Sequence, residues 1–165
     1  MKVKHTVMAK NFKTNVMRLL DGAKIPYEAH CYVDSGVVSG VDVARVLNQP
    51  VERVFKTLVT KGASREHYVF VVPVEQELDL KKAAKAVGEK SIAMIKSKEL
   101  LPLTGYIHGG CSPIGMKKFF RTTVDVSARA QETIFVSAGK IGYQVELAPA
   151  DLEKMIRLSY AEITV

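Results

Sequence analysis

A glycine-rich loop around Gly109 and Gly110 carries residue types that suit the binding of an anion. Residues 105–118 have the sequence GYIHGGCSPIGMKK. Glycines let backbone N–H groups approach a phosphate or a carboxylate without a Cβ in the way. Ser112 adds a hydroxyl, and two lysines follow. The spacing differs from that of the Walker motif. The loop therefore indicates either an anion site or a tight turn that needs a positive φ at one of the paired glycines.

Lys56 is the second candidate, because it interrupts an apolar segment. It follows Phe55 and precedes Thr57 in the sequence FKTLVT, which predicts a strand. Both faces of that strand look buried, so an ammonium group there needs a partner, a route to solvent or a lowered pKa. Two interpretations stay open, namely a functional lysine and a lysine that reaches solvent from a strand end.

A second loop of small residues, SAGKIG, runs from Ser137 to Gly142 between two predicted strands. Its glycines suit a simple hairpin turn. If it lies beside the first glycine loop, the two loops form opposite walls of one pocket. The sequence leaves these alternatives open.

The familiar protein-borne nucleophiles are not supported by the spacing of histidines and cysteines. His30 and Cys31 are neighbours in an extended segment, so their side chains are expected on opposite faces. His108 and Cys111 share the glycine loop, but no acidic residue follows to orient the histidine. The sequence also lacks a recognised metal-ligand spacing. An enzyme of this sequence would act by positioning and electrostatics.

The positive net charge favours a polyanionic partner, and the length favours a single domain that comprises residues 1–165. The 165 residues include 24 basic and 17 acidic ones, a formal net charge of +7. Residues 1–11 are predicted to be a loosely held basic arm. No apolar run is long enough to span a bilayer, and the first residues lack the apolar core of a secretory signal. We therefore expect a cytoplasmic protein whose two cysteines are reduced thiols.

The hydrophobic pattern alternates irregularly between helices and strands, which predicts an α+β fold. The late strands lie too close together for helical crossovers, so a mixed or largely antiparallel curved sheet with packed helices is expected. Helices are predicted over 15–22, from a capping box at 39–42, over 50–53, after Asp79 up to Gly88, from a cap at Ser97, and from Pro149. Strands are predicted over 55–60, 67–72, 91–95, 122–126, 133–137 and 143–147.

Four segments occur in an order that resembles the YbaK/EbsC family of aminoacyl-tRNA editing proteins. They are residues 54–59, 78–85, 104–115 and 137–140. The resemblance extends from about Asn15 to the last helix, and its most similar type is the Cys-tRNA(Pro) deacylase. It implies a mixed, barrel-like curved sheet flanked by helices, related to the editing insert of bacterial prolyl-tRNA synthetases.

The resemblance also implies roles for individual residues. Lys56 is the implied catalytic residue and holds the terminal phosphate region of the tRNA acceptor end, whereas the glycine loop holds the aminoacyl ester. Two positions depart from the family: Ser39 stands where well-known members carry phenylalanine, and Gln144 where some carry aspartate. No metal and no cofactor is expected. The expected substrate-binding residues are Tyr32, Thr57, Gly109, Gly110, Ser112, Gly115, Ser137, Gly139 and Gln144.

The mechanism that the resemblance implies is substrate-assisted. The thiol of the mischarged cysteine attacks its own ester carbonyl and releases a cyclic thiolactone and free tRNA. Tethering gives that thiol a high effective concentration, so the protein has only to orient the ester and stabilise the oxyanion. Neither Cys31 nor Cys111 is then the nucleophile.

The expected partners are the acceptor end of an aminoacyl-tRNA and, as a further candidate, a prolyl-tRNA synthetase. Cys-tRNA(Cys) is a second candidate substrate. Two other functions stay open at this point. One is a non-catalytic module that binds tRNA or a synthetase. The other is an enzyme in which Lys56 forms a Schiff base with pyridoxal phosphate held by the glycine loop.

Overall fold

The computed structural model describes residues 12–165, so the predicted basic arm over 1–11 lies outside the described residues. Two sheets form the centre of the fold. A five-stranded sheet has the order β4-β2-β3-β5-β8, and a three-stranded antiparallel sheet has the order β1-β7-β6. The strands are β1 (Glu28–Cys31), β2 (Phe55–Gly62), β3 (His67–Pro73), β4 (Ile92–Met94), β5 (Arg121–Asp125), β6 (Ile134–Ser137), β7 (Tyr143–Leu147) and β8 (Leu158–Ala161).

Five α-helices flank these sheets within residues 12–165, and none of them has the length and apolar character needed to cross a membrane. Short 3-10 turns at Val33–Ser35, Val51–Arg53 and Val126–Ala130 complete the described elements. The helices are α1 (Asn15–Gly22), α2 (Gly40–Val46), α3 (Leu80–Val87), α4 (Ser97–Thr104) and α5 (Pro149–Met155).

Both sheets meet at the start of β2. Strand β2 pairs with β3 and β4 in antiparallel fashion, whereas β3–β5 and β5–β8 are parallel pairs. A parallel bridge between Val54 and Phe135 joins β2 to the three-stranded sheet. The predicted α+β fold with a mixed, curved sheet is therefore confirmed, although the strands of residues 12–165 do not close into a barrel.

Strand β3 lies at the centre of the core, which explains its unbroken apolar sequence. Successive side chains of a strand point to opposite faces. Val69 and Val71 pack into the largest core cluster, which includes the buried face of α1. Phe70 and Val72 pack into a second cluster with the alanines of α3. Because both faces of β3 are covered, it holds the β2–β3 hairpin in place.

Local signals at helix ends predicted α1 and α3 well. The Thr14 hydroxyl accepts a hydrogen bond from the Met17 N–H at the start of α1. Asp79 accepts two backbone N–H bonds at the start of α3, and Gly88 ends that helix in the left-handed conformation. Both predicted helices are confirmed.

Two predicted caps differ in detail from the structure, and one strand was not predicted. Ser39 occupies the cap position of α2, but its side chain makes no capping bond, and the Asp42 carboxylate accepts from Arg45 at 2.5 Å. Lys96 rather than Ser97 occupies the cap position of α4. Strand β8 was not predicted. Its partner β5 lies more than thirty residues earlier in the chain, so no local sequence pattern predicts the pairing.

Candidate active site

A pocket of about 410 Å³ lies where the start of β2 meets β6 and β7. Lys56 and Gly109 both line it, as two residues that act on the same aminoacyl-tRNA end would have to. The predicted site residues that line this pocket are Tyr32, Lys56, Thr57, Gly109, Ser137 and Gln144.

Lys56 is the second residue of β2 and is half-buried. Its ammonium group has no ion-pair or hydrogen-bond partner among residues 12–165. Of the three ways to accommodate the charge, the structure therefore provides access to solvent through the pocket. A cation held in a pocket without a carboxylate favours an anionic ligand.

The floor of the pocket carries polar atoms that lack partners. Ser137 on β6 lies opposite Gln144 on β7, and Gln144 lies opposite His30 on β1. The Gln144 Nε2 donates to the Tyr32 hydroxyl at 3.5 Å. The Gln144 Oε1 and the Thr57 Oγ1 are buried and have no hydrogen-bond partner in the described chain. Because buried polar atoms are nearly always bonded, this pair indicates a place where a ligand supplies the missing bonds.

Burial raises the pKa of Tyr32, although the Gln144 hydrogen bond acts in the opposite direction. Its hydroxyl is therefore neutral at physiological pH and both donates and accepts hydrogen bonds. Tyr32 is an uncharged polar group at the edge of the same floor.

Gly109 brings the backbone of the first glycine loop against the second loop. Its φ is +89°, and an added Cβ would lie 2.8 Å from the Val38 Cγ1 and 3.4 Å from the Ile141 Cγ1. Only glycine combines this conformation with so close an approach. The tight turn with a positive φ is therefore confirmed, and the same turn forms a wall of the pocket. Anion binding by the loop stays a prediction.

Gly110 and Ser112 are not among the residues that line the pocket. The Gly110 N–H donates to the Ile107 carbonyl at 2.9 Å, so this donor serves the turn. Ser112 is fully buried, and its hydroxyl accepts the Ile114 N–H at 3.2 Å. Both residues shape the loop, and their contact with a ligand stays a prediction.

Gly115 and Gly139 also lie away from the pocket lining, against the ring of Tyr106. The Tyr106 hydroxyl donates to the Ile114 carbonyl at 2.5 Å, which ties the first loop to this ring. The two glycines thus let both loops pack on one aromatic side chain. Their role as ligand contacts stays a prediction.

Cys111 lines the pocket, but its thiol is poorly suited to act as a nucleophile. It is buried, and burial raises its pKa to about 12. Since the thiolate is the nucleophilic form, almost none is present at neutral pH. Cys31 and Cys111 are both free thiols. The raised pKa supports the inference that Cys111 does not attack the substrate, and Cys31 is not among the residues that line the pocket.

The apolar wall of the pocket comes from residues that the sequence did not identify as site residues. Val38 precedes α2 and Val43 lies within it. Leu100 lies in α4 and Leu58 in β2. Apolar walls around a few polar groups are typical of small-ligand sites. Amphipathic patterns predicted both helices but not which part of the sheet each one covers.

A network around Glu146 lies on the same sheet, and the sequence did not predict it. Its carboxylate accepts from Thr133 at 2.6 Å, pairs with His30 at 3.0 Å and lies 3.5 Å from Arg53. Burial raises the Glu146 pKa, but the Thr133 and His30 hydrogen bonds more than offset this and leave it lowered. Glu28, His30 and Glu146 offer potential metal-ligand atoms within 4.8 Å of one another. Arg53 balances the charge of Glu146, and the network joins β1 and β7 to the segment before β6.

A family model described as the aminoacyl-tRNA editing domain matches residues 30–155. The chain is also 47% identical, over 153 residues, to a protein of Enterococcus faecalis named EbsC, a candidate Cys-tRNA(Pro)/Cys-tRNA(Cys) deacylase. That match covers 92% of this chain and 93% of EbsC.

Two proline–tRNA ligases are similar over shorter stretches. The Thermosipho africanus ligase is 35% identical over 77 residues, which are 46% of this chain and 13% of the ligase. The Pelobacter propionicus ligase is 27% identical over 99 residues, 60% of this chain and 17% of the ligase. This chain therefore corresponds to a small part of each ligase.

Solved structures share the fold. A hypothetical protein superposes with a TM-score of 0.84 at 17% identity, covering 92% of this chain and 100% of its own. A candidate trans-editing enzyme for prolyl-tRNA synthetase superposes with a TM-score of 0.79 at 20% identity. That match covers 92% of this chain and 98% of the enzyme. At such identities the likeness concerns the fold alone. With the family model and the 47% identical relative, it follows that this chain belongs to the aminoacyl-tRNA editing domain family.

Proposed function

We propose that this chain, acting as one domain over residues 1–165, is a trans-acting deacylase that removes cysteine from Cys-tRNA(Pro) in the cytoplasm. Cys-tRNA(Cys) is its second substrate. The similarity to EbsC over nearly the whole chain supports this substrate class. The observation that carries the proposal is that the Lys56 ammonium, which has no partner among residues 12–165, lies in one pocket with the Gly109 loop.

Lys56 binds a phosphate near the 3′ end of the tRNA, because this half-buried cation has no protein carboxylate beside it among residues 12–165. The Gln144 Oε1 accepts a hydrogen bond from the α-ammonium of the esterified amino acid. The absence of a partner for this oxygen within the described part of the chain supports the assignment. Thr57 offers its hydroxyl to the ribose. The small apolar wall then encloses the amino-acid side chain.

The chemical step transfers the acyl group within the substrate. The cysteine sulfur attacks the ester carbonyl, a C–S bond forms, the C–O bond to ribose breaks, and the thiol proton ends on the ribose oxygen. The products are a four-membered thiolactone and free tRNA. The N–H groups of Gly109 and Cys111 have no acceptor in the described chain and belong to residues of the pocket lining, so they are candidate donors for the oxyanion. One such donor contributes about 10²–10³-fold in well-studied enzymes.

The Cys111→Ala variant separates this step from a protein-borne thiol. Because the buried Cys111 is protonated at neutral pH, we expect the variant to keep most of its deacylation rate. Loss of activity in a well-folded Cys111→Ala protein would instead assign the nucleophile to the protein.

A panel of charged tRNAs tests the proposal as a whole. Cys-tRNA(Pro), Ala-tRNA(Pro) and Cys-tRNA(Cys) are incubated with the protein, and the remaining ester is measured over time. We expect cysteine to leave both tRNAs, and mass spectrometry to detect the thiolactone. The alanyl ester should persist, because alanine has no thiol. Binding of tRNA without loss of any ester would overturn the proposal and identify a binding module.

A prolyl-tRNA synthetase is the proposed partner. The pocket contacts only the 3′ end, which is alike in all tRNAs, so a second protein would add selectivity for tRNA(Pro). The family relationship to parts of proline–tRNA ligases supports this. Adding the synthetase should accelerate removal of cysteine from tRNA(Pro) but not from tRNA(Cys).

A further inference from the structure

A second cleft lies at the turn end of the β2–β3 hairpin, away from Lys56. It has a volume of about 380 Å³ and is lined by residues 65–68 and 118–121. Lys56 pairs with Val72, whereas Lys61 pairs with His67 at the edge of this cleft. Five residues of strand separate the two positions, which is about 17 Å.

The cleft carries more positive than negative charge. Arg65, Lys118 and Arg121 line it and are exposed, against one lining carboxylate, Glu66. Arg65 and Lys118 have no ion-pair partner within residues 12–165, and Arg121 donates to a backbone carbonyl at 3.2 Å. The nearby Glu89 is held by hydroxyl groups of neighbouring side chains. The cations therefore remain available to phosphates.

An exposed aromatic ring stands among these cations. Phe119 is 54% exposed, whereas Phe120 beside it is buried and packs against the His67 ring with a centroid distance of 5.7 Å. Phe120 thus anchors the segment and leaves Phe119 at the surface. Aromatic rings flanked by arginine and lysine are the usual platform for unpaired nucleic-acid bases. An acidic protein surface would pair with these cations, but it would not need the exposed Phe119 ring.

One segment of chain connects the two clefts. The stretch between α4 and β5 supplies His108 and Gly109 to the first pocket and Lys118 and Phe119 to the second cleft. We infer that the cleft around Phe119 binds the tRNA at a point separate from its 3′ end, with two phosphates on Arg65 and Lys118 and an unpaired base on Phe119. This inference rests on the proposed function, because it assumes that tRNA is the substrate.

The test compares two substrates and three variants. The Arg65→Ala/Lys118→Ala protein and the Phe119→Ala protein are assayed on Cys-tRNA(Pro) and on a short cysteinylated oligonucleotide of the 3′ end. The control, Lys81→Ala/Lys85→Ala, removes the same charge from exposed positions of α3. Binding of uncharged tRNA is measured over a range of salt concentrations.

We expect each cleft variant to raise KM for the full tRNA about tenfold or more, with kcat unchanged and the short substrate unaffected. The double variant should also reduce the slope of log K against log salt by about 1.5. Equal losses on both substrates, or an unchanged salt slope, would overturn the inference. Normal kinetics on tRNA combined with lost stimulation by the synthetase would overturn it in favour of a protein contact. If the unmodified protein cleaves neither substrate, the proposed function itself fails.

Discussion

Replacement of Lys56 by alanine tests the most specific consequence of the pocket. Two unit charges about 4 Å apart interact by about 4 kcal/mol at an effective dielectric constant of 20. Lys56 is half-buried, so solvent reduces this value. We therefore expect kcat/KM for Cys-tRNA(Pro) to fall about 10²- to 10³-fold, a loss of about 3–4 kcal/mol. The Lys56→Arg variant keeps the charge and should retain more activity.

The stability of the same variant provides the complementary measurement. Lys56 forms no ion pair with residues 12–165, so its removal breaks no stabilising bond there. We expect the free energy of unfolding in urea to stay within about 0.5 kcal/mol of that of the unmodified protein, or to rise. Lys85→Ala, at an exposed site of α3, is the matched control for charge and should keep full activity. Near-normal kcat/KM for Lys56→Ala would refute the phosphate-binding role.

Three further predictions concern single positions. Gly109→Ala should lower the free energy of unfolding by about 1–3 kcal/mol more than Gly36→Ala in urea titrations, and it should abolish activity. Both glycines have a positive φ, but only Gly109 lacks room for a Cβ. Gln144→Met should lower kcat/KM about 10- to 100-fold and the free energy of unfolding by about 1 kcal/mol at most, since the lost Oε1 has no protein partner in the described chain and the lost Nε2 makes only the 3.5 Å bond to Tyr32. Glu146→Gln should cost about 1–3 kcal/mol at pH 7. Because the pKa of Glu146 is lowered in the folded state, its contribution to stability is present above about pH 4.5 and is lost as the pH falls through the folded-state pKa. Urea titrations at acid pH should therefore show this loss in the unmodified protein but not in Glu146→Gln.

Elements that depend on local chemistry were predictable from the sequence. Thr14 and Asp79 announce helix starts because their side chains accept bonds from N–H groups two or three residues later. At Ser39 the helix begins as the pattern predicts, but the Ser39 side chain makes no capping bond and Asp42 pairs with Arg45. A local pattern thus predicts an element but not which of two local bonds forms.

The site residues also include some that the local sequence indicates and others that only the tertiary structure indicates. Lys56 and Gly109 stood out because a charge in an apolar strand and paired glycines are unusual in themselves. The importance of Gln144 came from the family resemblance, and its unpaired Oε1 depends on strand register. The contact between His30 and Glu146 joins residues 116 positions apart, so no spacing rule could indicate it. Such pairings follow from the tertiary structure alone.

Strand β8 affects how this domain can be isolated or transplanted. The family match stops at residue 155, yet Leu158–Ala161 completes one edge of the large sheet, and the Ile163 N–H bonds Asp125. A fragment cut at the family boundary would leave the backbone of β5 open to pairing with other molecules. Those who graft this domain into another protein, or fuse a tag behind it, should therefore carry the last ten residues along.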